Sequence, residues 1–494
     1  MRHEGTTVDG QQTIFDVAVI GAGVVGAAIA RELAQYRLRI VLLDAGADVG
    51  AGTSKANTAL LHTGFDAKPG TLEARLVRRG HEMLRLFGPE AGIPIERVGA
   101  RVVAWDADQL ARLTAIAAVA ARNGYNAARP VSADELYREE PHLGPGALGA
   151  LAVPDESIIC PFTTPLAFAT QALLNGVTLA LASPVEHIVP AEENVYALRT
   201  AHAVVRSRFV VNAAGLHADT IDRMFGHETF TVTPRRGELV VFDKLARPLV
   251  NHILLPVPTP VTKGVLVSPT VFGNVVLGPT AEDLADKGAT ESTAAGIGSL
   301  CEKGRRIVPV LLAEEVTAVY AGLRAATEHS DYQLQFYPAQ RYVCVGGIRS
   351  TGLSASMAIA EYVAQGLADA GLGLQPKTDF RPVRMPNIGE AFERPYQSAA
   401  AIASNPDYGR IVCHCERVTR GEILDAANAP IPARSLDGVR RRTRALFGRC
   451  QGFYCAAAVA HLLADATGQT LAALLGLEDG VRGPSSSGSV DRCR

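Results

Sequence analysis

The chain has 494 residues, too many for one hydrophobic core, so two or three domains are expected. Its content of 48% hydrophobic and 20% charged residues is that of ordinary globular proteins, which excludes a disordered or fibrous chain. A formal net charge of −2 provides no field that would attract nucleic acid or coat a membrane surface.

The polar first dozen residues lead directly into a strand pattern, without the apolar core of a secretory signal peptide. Apolar stretches such as 113–121 are too short to span a bilayer. Four of the eight cysteines are gathered near the C-terminus, which is unlike a secreted disulfide framework. We therefore expect a cytoplasmic protein with no membrane span, which reaches a membrane only peripherally and through a partner.

The first predicted elements form a βαβ unit. Residues 14–20 are a short apolar run typical of a strand buried on both faces. A helix of small residues is expected over about 24–36, and a second apolar strand over 39–43 ends at Asp44. This order indicates an α/β fold with parallel strands.

The turn after the first strand reads Gly-Ala-Gly-Val-Val-Gly and matches the pattern G-x-G-x-x-G. Gly21 permits the tight turn, Gly23 lets the backbone approach a pyrophosphate, and Gly26 lets the helix pack on the strand. Asp44 ends the next strand, where a carboxylate can accept a hydrogen bond from a ribose hydroxyl. The register of these elements predicts a dinucleotide site, although the pattern alone does not separate FAD from NAD.

The segment after Asp44 favours FAD. Residues 52–58 read as a small polar loop or helix start. Within it, Thr53, Ser54 and Asn57 are candidates to bracket the pyrophosphate and the flavin.

The middle of the chain mixes two kinds of strand. Alternating runs at 237–242 and 274–278 predict antiparallel strands of a substrate domain. Runs at 209–215 and 342–347 predict buried strands that return to the nucleotide domain, and a helix over 355–372 closes it. The expected fold is a Rossmann-like FAD-binding domain with an antiparallel-sheet substrate domain.

Two pairs of cysteines lie near the C-terminus. Cys413 and Cys415 form C-x-C, and Cys450 and Cys455 form C-x4-C after a 34-residue spacer. Four thiolates are the ligand set of a [2Fe-2S] cluster. A four-cysteine zinc site is the alternative, but its pairs usually have wider spacing on both sides. We predict a small helical iron–sulfur module, with the cluster favoured over zinc.

Further short motifs are dispersed along the chain, at 61–66, 211–215, 234–238, 320–324 and 347–354. With the glycine turn, they resemble the glycine-oxidase-like flavoenzyme superfamily, and within it the flavin-dependent glycerol-3-phosphate oxidases and dehydrogenases and the 2-hydroxyglutarate oxidases. The cysteine segment is similar to the bacterioferritin-associated-ferredoxin-type domain in the runs 411–416 and 448–452. The resemblance spans about 14–465 and implies bound FAD and a [2Fe-2S] cluster.

The resemblance also implies roles for single residues. His62 matches the histidine of the superfamily's I/L-H-x-G motif and is the expected general base or substrate positioner. Lys263 and Arg324 are the expected holders of an anionic substrate, since fixed cations suit carboxylate or phosphate. Further flavin-binding candidates are Gly215, Arg349, Gly352, Leu353 and Ser354. Each of these has an ordinary structural alternative, as a packed core residue or a surface ion pair.

The basic run at 436–444 is explained by an anionic cluster that neighbouring arginines would offset. Nucleic-acid binding is disfavoured because no aromatic residues are interleaved with the arginines. We expect residues 14–385 to form the oxidoreductase part, 386–409 a linker, 410–475 the iron–sulfur domain and 476–494 a flexible tail.

The predicted function is FAD-dependent oxidation of a small anionic secondary alcohol, with glycerol 3-phosphate first. Electrons would pass through the cluster to a quinone, a partner subunit or a carrier, which favours a dehydrogenase over an oxidase. The alternatives are a 2-hydroxy-acid dehydrogenase, an amine or imino-acid dehydrogenase, and a non-enzymatic electron-relay subunit.

Overall fold

The structure, a computed structural model, describes residues 13–258 and 264–476, so Lys263 and nearly all of the predicted tail lie outside the described residues. The described strands are β1 Ile14–Ile20, β2 Ile40–Leu43, β3 Leu60–Leu61, β4 Ile95–Glu96, β5 Ala100–Ala104, β6 Arg129–Ser132, β7 Gly149–Val153, β8 Ser157–Ile159, β9 Thr178–Ala180, β10 Val185–Glu192, β11 Val195–Thr200, β12 Val204–Asn212, β13 Thr233–Phe242, β14 Ile253–Pro256, β15 Leu266–Pro269, β16 Val275–Gly278, β17 Glu282–Asp283, β18 Val316–Ala326, β19 Gln333–Tyr337, β20 Tyr342–Gly346, β21 Ile411–Cys413 and β22 Val418–Thr419. The described α-helices are α1 Val24–Leu33, α2 Leu72–Ala91, α3 Ala107–Arg122, α4 Ala133–Glu139, α5 Thr163–Leu174, α6 Ala218–Met224, α7 Ala294–Ile307, α8 Gly352–Asp369, α9 Ala399–Ser404, α10 Arg420–Asn428, α11 Leu436–Thr443, α12 Ala456–Thr467 and α13 Leu471–Leu474.

The chain divides into two compact units, each built from three stretches of sequence. The described part of the first unit is 13–55, 165–234 and 324–383. The described part of the second is 56–164, 235–323 without its undescribed segment, and 384–476, which includes all four clustered cysteines. The predicted domain bounds stay a prediction.

The first unit is organised around β1, whose Val17, Ala18 and Val19 are completely buried. Strands β2 and β12 flank β1 in parallel, with Val19 opposite Leu42 on one side and Val211 on the other. Beyond β12, the parallel strand β20 pairs with its second half and the antiparallel β11 with its first half. The runs expected to return to the nucleotide domain are therefore confirmed as β12 and β20.

Helices α1 and α8 pack against each other in this unit. Helix α1 ends at Leu33, three residues before the predicted end, because the chain tightens there. The N–H groups of Gln35 and Tyr36 bond to carbonyls only three residues back. Helix α8 covers 352–369 instead of 355–372, and it is followed by Gly371, whose φ is +94°.

The second unit contains a nine-stranded sheet in which β13, β16, β15, β14 and β5 are successive neighbours. Strands β13 and β16 are antiparallel, with Val240 opposite Leu277, which confirms that the runs at 237–242 and 274–278 form antiparallel strands. Phe242, Leu254 and Leu277 belong to the buried core against this sheet. A separate small sheet has the order β3-β8-β4.

The cysteine-rich segment has its own core within the second unit. Val418, Ile423, Val439 and Leu463 are completely buried between the β21–β22 hairpin and helices α10 to α12. A capping box starts α10, since the side chains of Thr419 and Glu422 exchange hydrogen bonds with each other's backbone N–H groups. In the described ranges, no helix is long and apolar enough to cross a membrane.

Candidate functional site

The glycine turn of the first unit leaves no room for side chains at two positions. Gly21 has a φ of +104°, and a Cβ atom there would lie 2.4 Å from the carbonyl oxygen of Ala213. A Cβ atom at Gly26 would lie 1.8 Å from the carbonyl oxygen of Gly21. The tight turn and the close approach of α1 to β1 therefore both require glycine.

Asp44 holds this turn from the end of β2. Its Oδ2 accepts a hydrogen bond of 2.5 Å from the Ala22 N–H, and its Oδ1 accepts one of 2.6 Å from the Gly46 N–H. Burial raises the pKa of Asp44, and the two bonds offset part of that rise. The carboxylate thus shapes the turn itself, in addition to its predicted role toward a ribose.

The Ser54 side chain contacts the first residue of α1. Its Oγ accepts a hydrogen bond of 2.9 Å from the Val24 N–H and would lie 3.2 Å from a Cβ atom at Gly23. Thr53 begins the 3-10 turn Thr53–Lys55 that positions this hydroxyl. The Thr53–Lys55 part of the predicted polar loop therefore packs on the glycine turn.

The structure also brings the other candidates of this unit toward the turn. Gly215, with a φ of +57° and open space around its Cβ direction, follows the Ala213 segment that contacts Gly21. A Cβ atom at Gly352 would lie 3.7 Å from Val25, so α8 begins beside the first turn of α1. The remaining candidates are Arg349, Leu353 and Ser354. Arg349 donates a hydrogen bond of 2.8 Å to the Ser330 carbonyl, and the Leu353 and Ser354 side chains are buried.

These positions lie at the carboxyl ends of β1, β12 and β20, beside the N-terminus of α1. Ligands of open parallel sheets bind at this edge, and the helix N-terminus offers N–H groups to phosphates. The glycine turn has no side chains that would keep a pyrophosphate away from its backbone. It therefore fits a dinucleotide such as FAD.

His62 and Glu156 meet in the second unit, on neighbouring strands. Strand β3 ends at Leu61 opposite Ser157 of the antiparallel β8, so the next pair along the ladder is His62 and Glu156. The His62 Nδ1 lies 3.1 Å from Glu156 Oε2. Thr63 donates from its N–H and its hydroxyl to the other carboxylate oxygen, at 2.7 and 2.8 Å.

Glu156 is completely buried, whereas the His62 side chain keeps 20% of its exposure. A buried carboxylate with one oxygen fixed by Thr63 holds the imidazole in one orientation and favours a proton on Nδ1. Sequence reasoning missed Glu156, because nothing local to residues 153–159 indicates that it faces a histidine 94 positions earlier.

Asn57 belongs to the second unit. Its carbonyl accepts a 2.8 Å hydrogen bond from the Tyr320 hydroxyl, and its side chain accepts from the Ala59 N–H. A Cβ atom at Gly322 would lie 2.0 Å from the Ala56 carbonyl oxygen, so the Tyr-Ala-Gly motif packs on this loop. Arg324 lies half-buried on β18. The roles of Asn57, Arg324 and Lys263 stay predictions.

The four clustered cysteines form two pairs. Cys413 and Cys455 are buried and hydrogen-bonded to each other, and Cys415 and Cys450 form a second, partly exposed pair. The bond with Cys455 lowers the pKa of the Cys413 thiol to about 6 and raises that of Cys455. Within the described ranges, no three His, Cys, Asp or Glu side chains converge as they would on a single ion.

Backbone N–H groups point at these sulfurs. Leu446 donates to both Cys413 and Cys455, and Tyr454 donates to Cys450, which lowers the pKa of that thiol. Such donors offset the charge of thiolates that bind iron. Four neighbouring thiols with backbone N–H donors supply the ligand chemistry of a [2Fe-2S] group, and they are the residues that would hold it.

The arginine run between the cysteine pairs is largely buried. Arg442 donates to the Ile431 and Gly438 carbonyls, which stabilises the module itself. Arg444 donates to Asn274 Oδ1 at 3.0 Å and lies 3.4 Å from Glu416 Oε2. The run is thus a packed element that also contacts the segment between β15 and β16 of the nine-stranded sheet, which disfavours a solvated basic face.

Two family models match the chain. The model of FAD dependent oxidoreductases matches residues 16–366, which is more than half of the chain. The model of the BFD-like [2Fe-2S] binding domain matches residues 411–465, which include all four paired cysteines.

Relatives match over most of the length. A glycerol 3-phosphate dehydrogenase of Caloramator mitchellensis is 37% identical, with 92% of this chain and 95% of the relative covered. A glycerol 3-phosphate oxidase of Mycoplasma pneumoniae is 29% identical over 70% of this chain and 92% of its own length. Among solved structures, dithionite-reduced L-alpha-glycerophosphate oxidase of Mycoplasma pneumoniae with FAD bound is similar, at a TM-score of 0.72 and 27% identity, covering 76% of this chain and 100% of that one.

Proposed function

Because the chain belongs to the FAD-dependent oxidoreductase family and carries a [2Fe-2S]-binding domain, we propose that it is a dehydrogenase of glycerol 3-phosphate. The choice of substrate rests on one observation, the 37% identity to a glycerol 3-phosphate dehydrogenase. This similarity extends through both domains. Glycerol 3-phosphate is a small anionic secondary alcohol, the class for which the chain's predicted cations are suited.

Oxidation of such an alcohol requires that its hydroxyl proton leave for a base. We assign His62 to this task, since Glu156 orients the ring and favours the proton on Nδ1. Nε2 then carries the lone pair and is the nitrogen that takes the hydroxyl proton. Glu156 stabilises the imidazolium that results, because its buried carboxylate faces Nδ1–H.

The glycine turn, Asp44 and Ser54 would hold FAD, and the four paired cysteines would hold the cluster. When bound, FAD accepts a hydride from the alcohol carbon, and a [2Fe-2S] cluster passes electrons singly. Arg324 and Lys263 are our candidates for binding the phosphate. We also propose a cytoplasmic location, since iron–sulfur thiolates persist in a reducing compartment.

Anaerobic mixing of the FAD-loaded protein with a panel of substrates tests the proposal. We expect glycerol 3-phosphate to bleach the flavin absorbance within the first turnover, and L-2-hydroxyglutarate, proline and glycine to act far more slowly. Rapid bleaching by L-2-hydroxyglutarate alone would support a 2-hydroxy-acid dehydrogenase. Bleaching by none of them would support the electron-relay subunit.

A further inference from the structure

Two aromatic side chains between the second pair of cysteines are turned outward. Phe453 and Tyr454 are 84% and 77% exposed. Their ring centres are 5.2 Å apart, with the planes at 89°. Large aromatic side chains usually gain free energy by burial, and their clustering on a surface marks a contact site for another molecule. We name these two residues the aromatic pair.

The aromatic pair lies in the C-x4-C loop, between the partly exposed Cys450 and the buried Cys455. Cys415 and Cys450 are partly exposed, whereas Cys413 and Cys455 are buried. The Tyr454 N–H donates to the Cys450 sulfur, so the backbone of the aromatic pair contacts a ligand directly. A molecule that covers these rings would therefore lie beside a cluster ligand.

The geometry points to a protein as the occupant. Small ring molecules bind in concave sites that enclose most of their surface. Rings that are about four-fifths exposed form no such enclosure, but they are typical anchors of protein interfaces, where Tyr and Phe are enriched.

The charge of the module indicates the kind of protein. Within residues 410–475, six arginines and three aspartates have exposed or half-buried side chains, a surface excess of three positive charges before the cluster is counted. Arg449, directly before Cys450, pairs with Asp243 at 2.6 Å but keeps 49% of its side chain exposed. His414, between the first two cysteines, is also exposed. An acidic partner would complement this surface.

We propose that the aromatic pair and its basic surroundings are the docking surface for an acidic one-electron carrier protein. In the transfer, the reduced cluster loses one electron and the carrier gains one, without any bond being formed or broken. This inference goes beyond the proposed function, because it concerns where electrons leave and is independent of which substrate supplies them.

The test uses holoprotein whose cluster has been reduced by dithionite, so that its outcome does not depend on glycerol 3-phosphate. After removal of excess reductant, the protein is mixed with the soluble domain of cytochrome b5, which is acidic, or with cytochrome c, which is basic. We expect the second-order rate constant with cytochrome b5 to fall as salt is added. The double variant Phe453→Ala/Tyr454→Ala should lower this rate constant about tenfold, the loss of one hot-spot contact.

The matched control is Leu86→Ala, which truncates a 64% exposed apolar residue of α2 and should leave the rate constant unchanged. The cluster's visible circular dichroism confirms that each variant carries its cluster. If the double variant fails this check, Phe453→Glu replaces it, and should slow cytochrome b5 while accelerating cytochrome c. An unchanged rate in the variants overturns the proposal, as does a loss confined to reduction of decylubiquinone.

Discussion

The Arg444 guanidinium lies 4.2 Å from the centre of the Phe272 ring, so a residue of the spacer between the cysteine pairs is packed on an aromatic ring in the turn between β15 and β16. The same side chain is only 6% exposed and also contacts Asn274 and Glu416. The Glu416 carboxylate also pairs with a second cation, since the Lys244 Nζ lies 3.0 Å from its Oε2. The module is therefore fastened to its unit by a buried polar network.

Arg444→Leu should weaken this network. It leaves the buried Glu416 with one cation fewer, and breaking a buried ion pair costs about 3 kcal/mol. We expect the cluster's visible absorbance to be lost at a lower temperature than in the wild type, in a thermal ramp under anaerobic conditions. Arg434→Leu, which changes an exposed arginine of the same module, should have little effect. Equal losses in both variants would contradict a specific role for Arg444.

His62→Ala should slow flavin reduction by glycerol 3-phosphate about 100-fold or more, because it removes the proposed base. Glu156→Gln should give a smaller loss, since the imidazole remains but is less firmly oriented. Single-turnover stopped-flow measures both rates, and FAD content should stay at the wild-type level. His142→Ala, a change of an exposed histidine, is the control. Wild-type rates in His62→Ala would disprove the assigned base.

Retention of FAD should depend on the protonation of Asp44. Since burial raises the pKa of this carboxyl, it takes up a proton at a higher pH than an exposed aspartate does. Protonation removes an acceptor from the Ala22 or Gly46 N–H, and the turn loosens. FAD release, followed by fluorescence, should therefore increase as the pH falls through the raised pKa.

In Asp44→Asn the acid-dependent part of this release should disappear, although FAD binds more weakly at every pH. Asp379→Asn, a change of an exposed carboxylate in the same unit, should leave the pH profile as it is. A profile that persists in Asp44→Asn assigns the titration to another group.

Gly322→Ala should be strongly destabilising, because the new Cβ would lie 2.0 Å from the Ala56 carbonyl oxygen, a backbone atom. Overpacking of this kind costs about 2 kcal/mol. Gly298→Ala is the matched control, since its Cβ meets no atom within 4 Å and it lies in helix α7. It should stabilise by about 0.5–1 kcal/mol. Thermal unfolding of the two variants measures the difference, and similar melting temperatures would refute the packing of the Tyr-Ala-Gly motif.

Iron and acid-labile sulfide should each be present at about two per chain after anaerobic purification, as a [2Fe-2S] cluster requires. Cys415→Ala should lower both to a small fraction of that amount. Cys344→Ala, a buried cysteine of the first unit, should leave them unchanged. One zinc per chain, with no sulfide, would instead support the four-cysteine zinc site.

Much of the fold could be predicted because its signals are local. The glycine turn is one tight stretch whose residues contact each other or the next strand. Strands β1 and β16 and the second halves of β12 and β13 are largely apolar runs. Helix ends were predicted less well. The end of α1 depends on the N–H groups of Gln35 and Tyr36, which bond to carbonyls three residues earlier in the chain. The hydrophobic pattern of the sequence does not indicate these bonds.

The parts of the site that were not predicted depend on long-range pairing. Glu156 faces His62 only because β3 and β8 are antiparallel neighbours. Arg444 and Asn274 are 170 positions apart and meet through tertiary packing. The cysteine spacing indicated a cluster, but which thiols pair depends on the turns around Leu446 and Gly452, whose φ angles are positive.

The contacts of Arg444 have a consequence for expressing parts of this chain. Truncation before residue 410 would uncover the Phe272 ring and leave Asn274 without its guanidinium partner. In an isolated iron–sulfur fragment, Arg444 would be exposed to solvent on the face that contacts Phe272 and Asn274 in the whole chain. Each fragment would expose side chains that are buried in the whole chain. We therefore expect good yields of protein only when both parts are synthesised as one polypeptide.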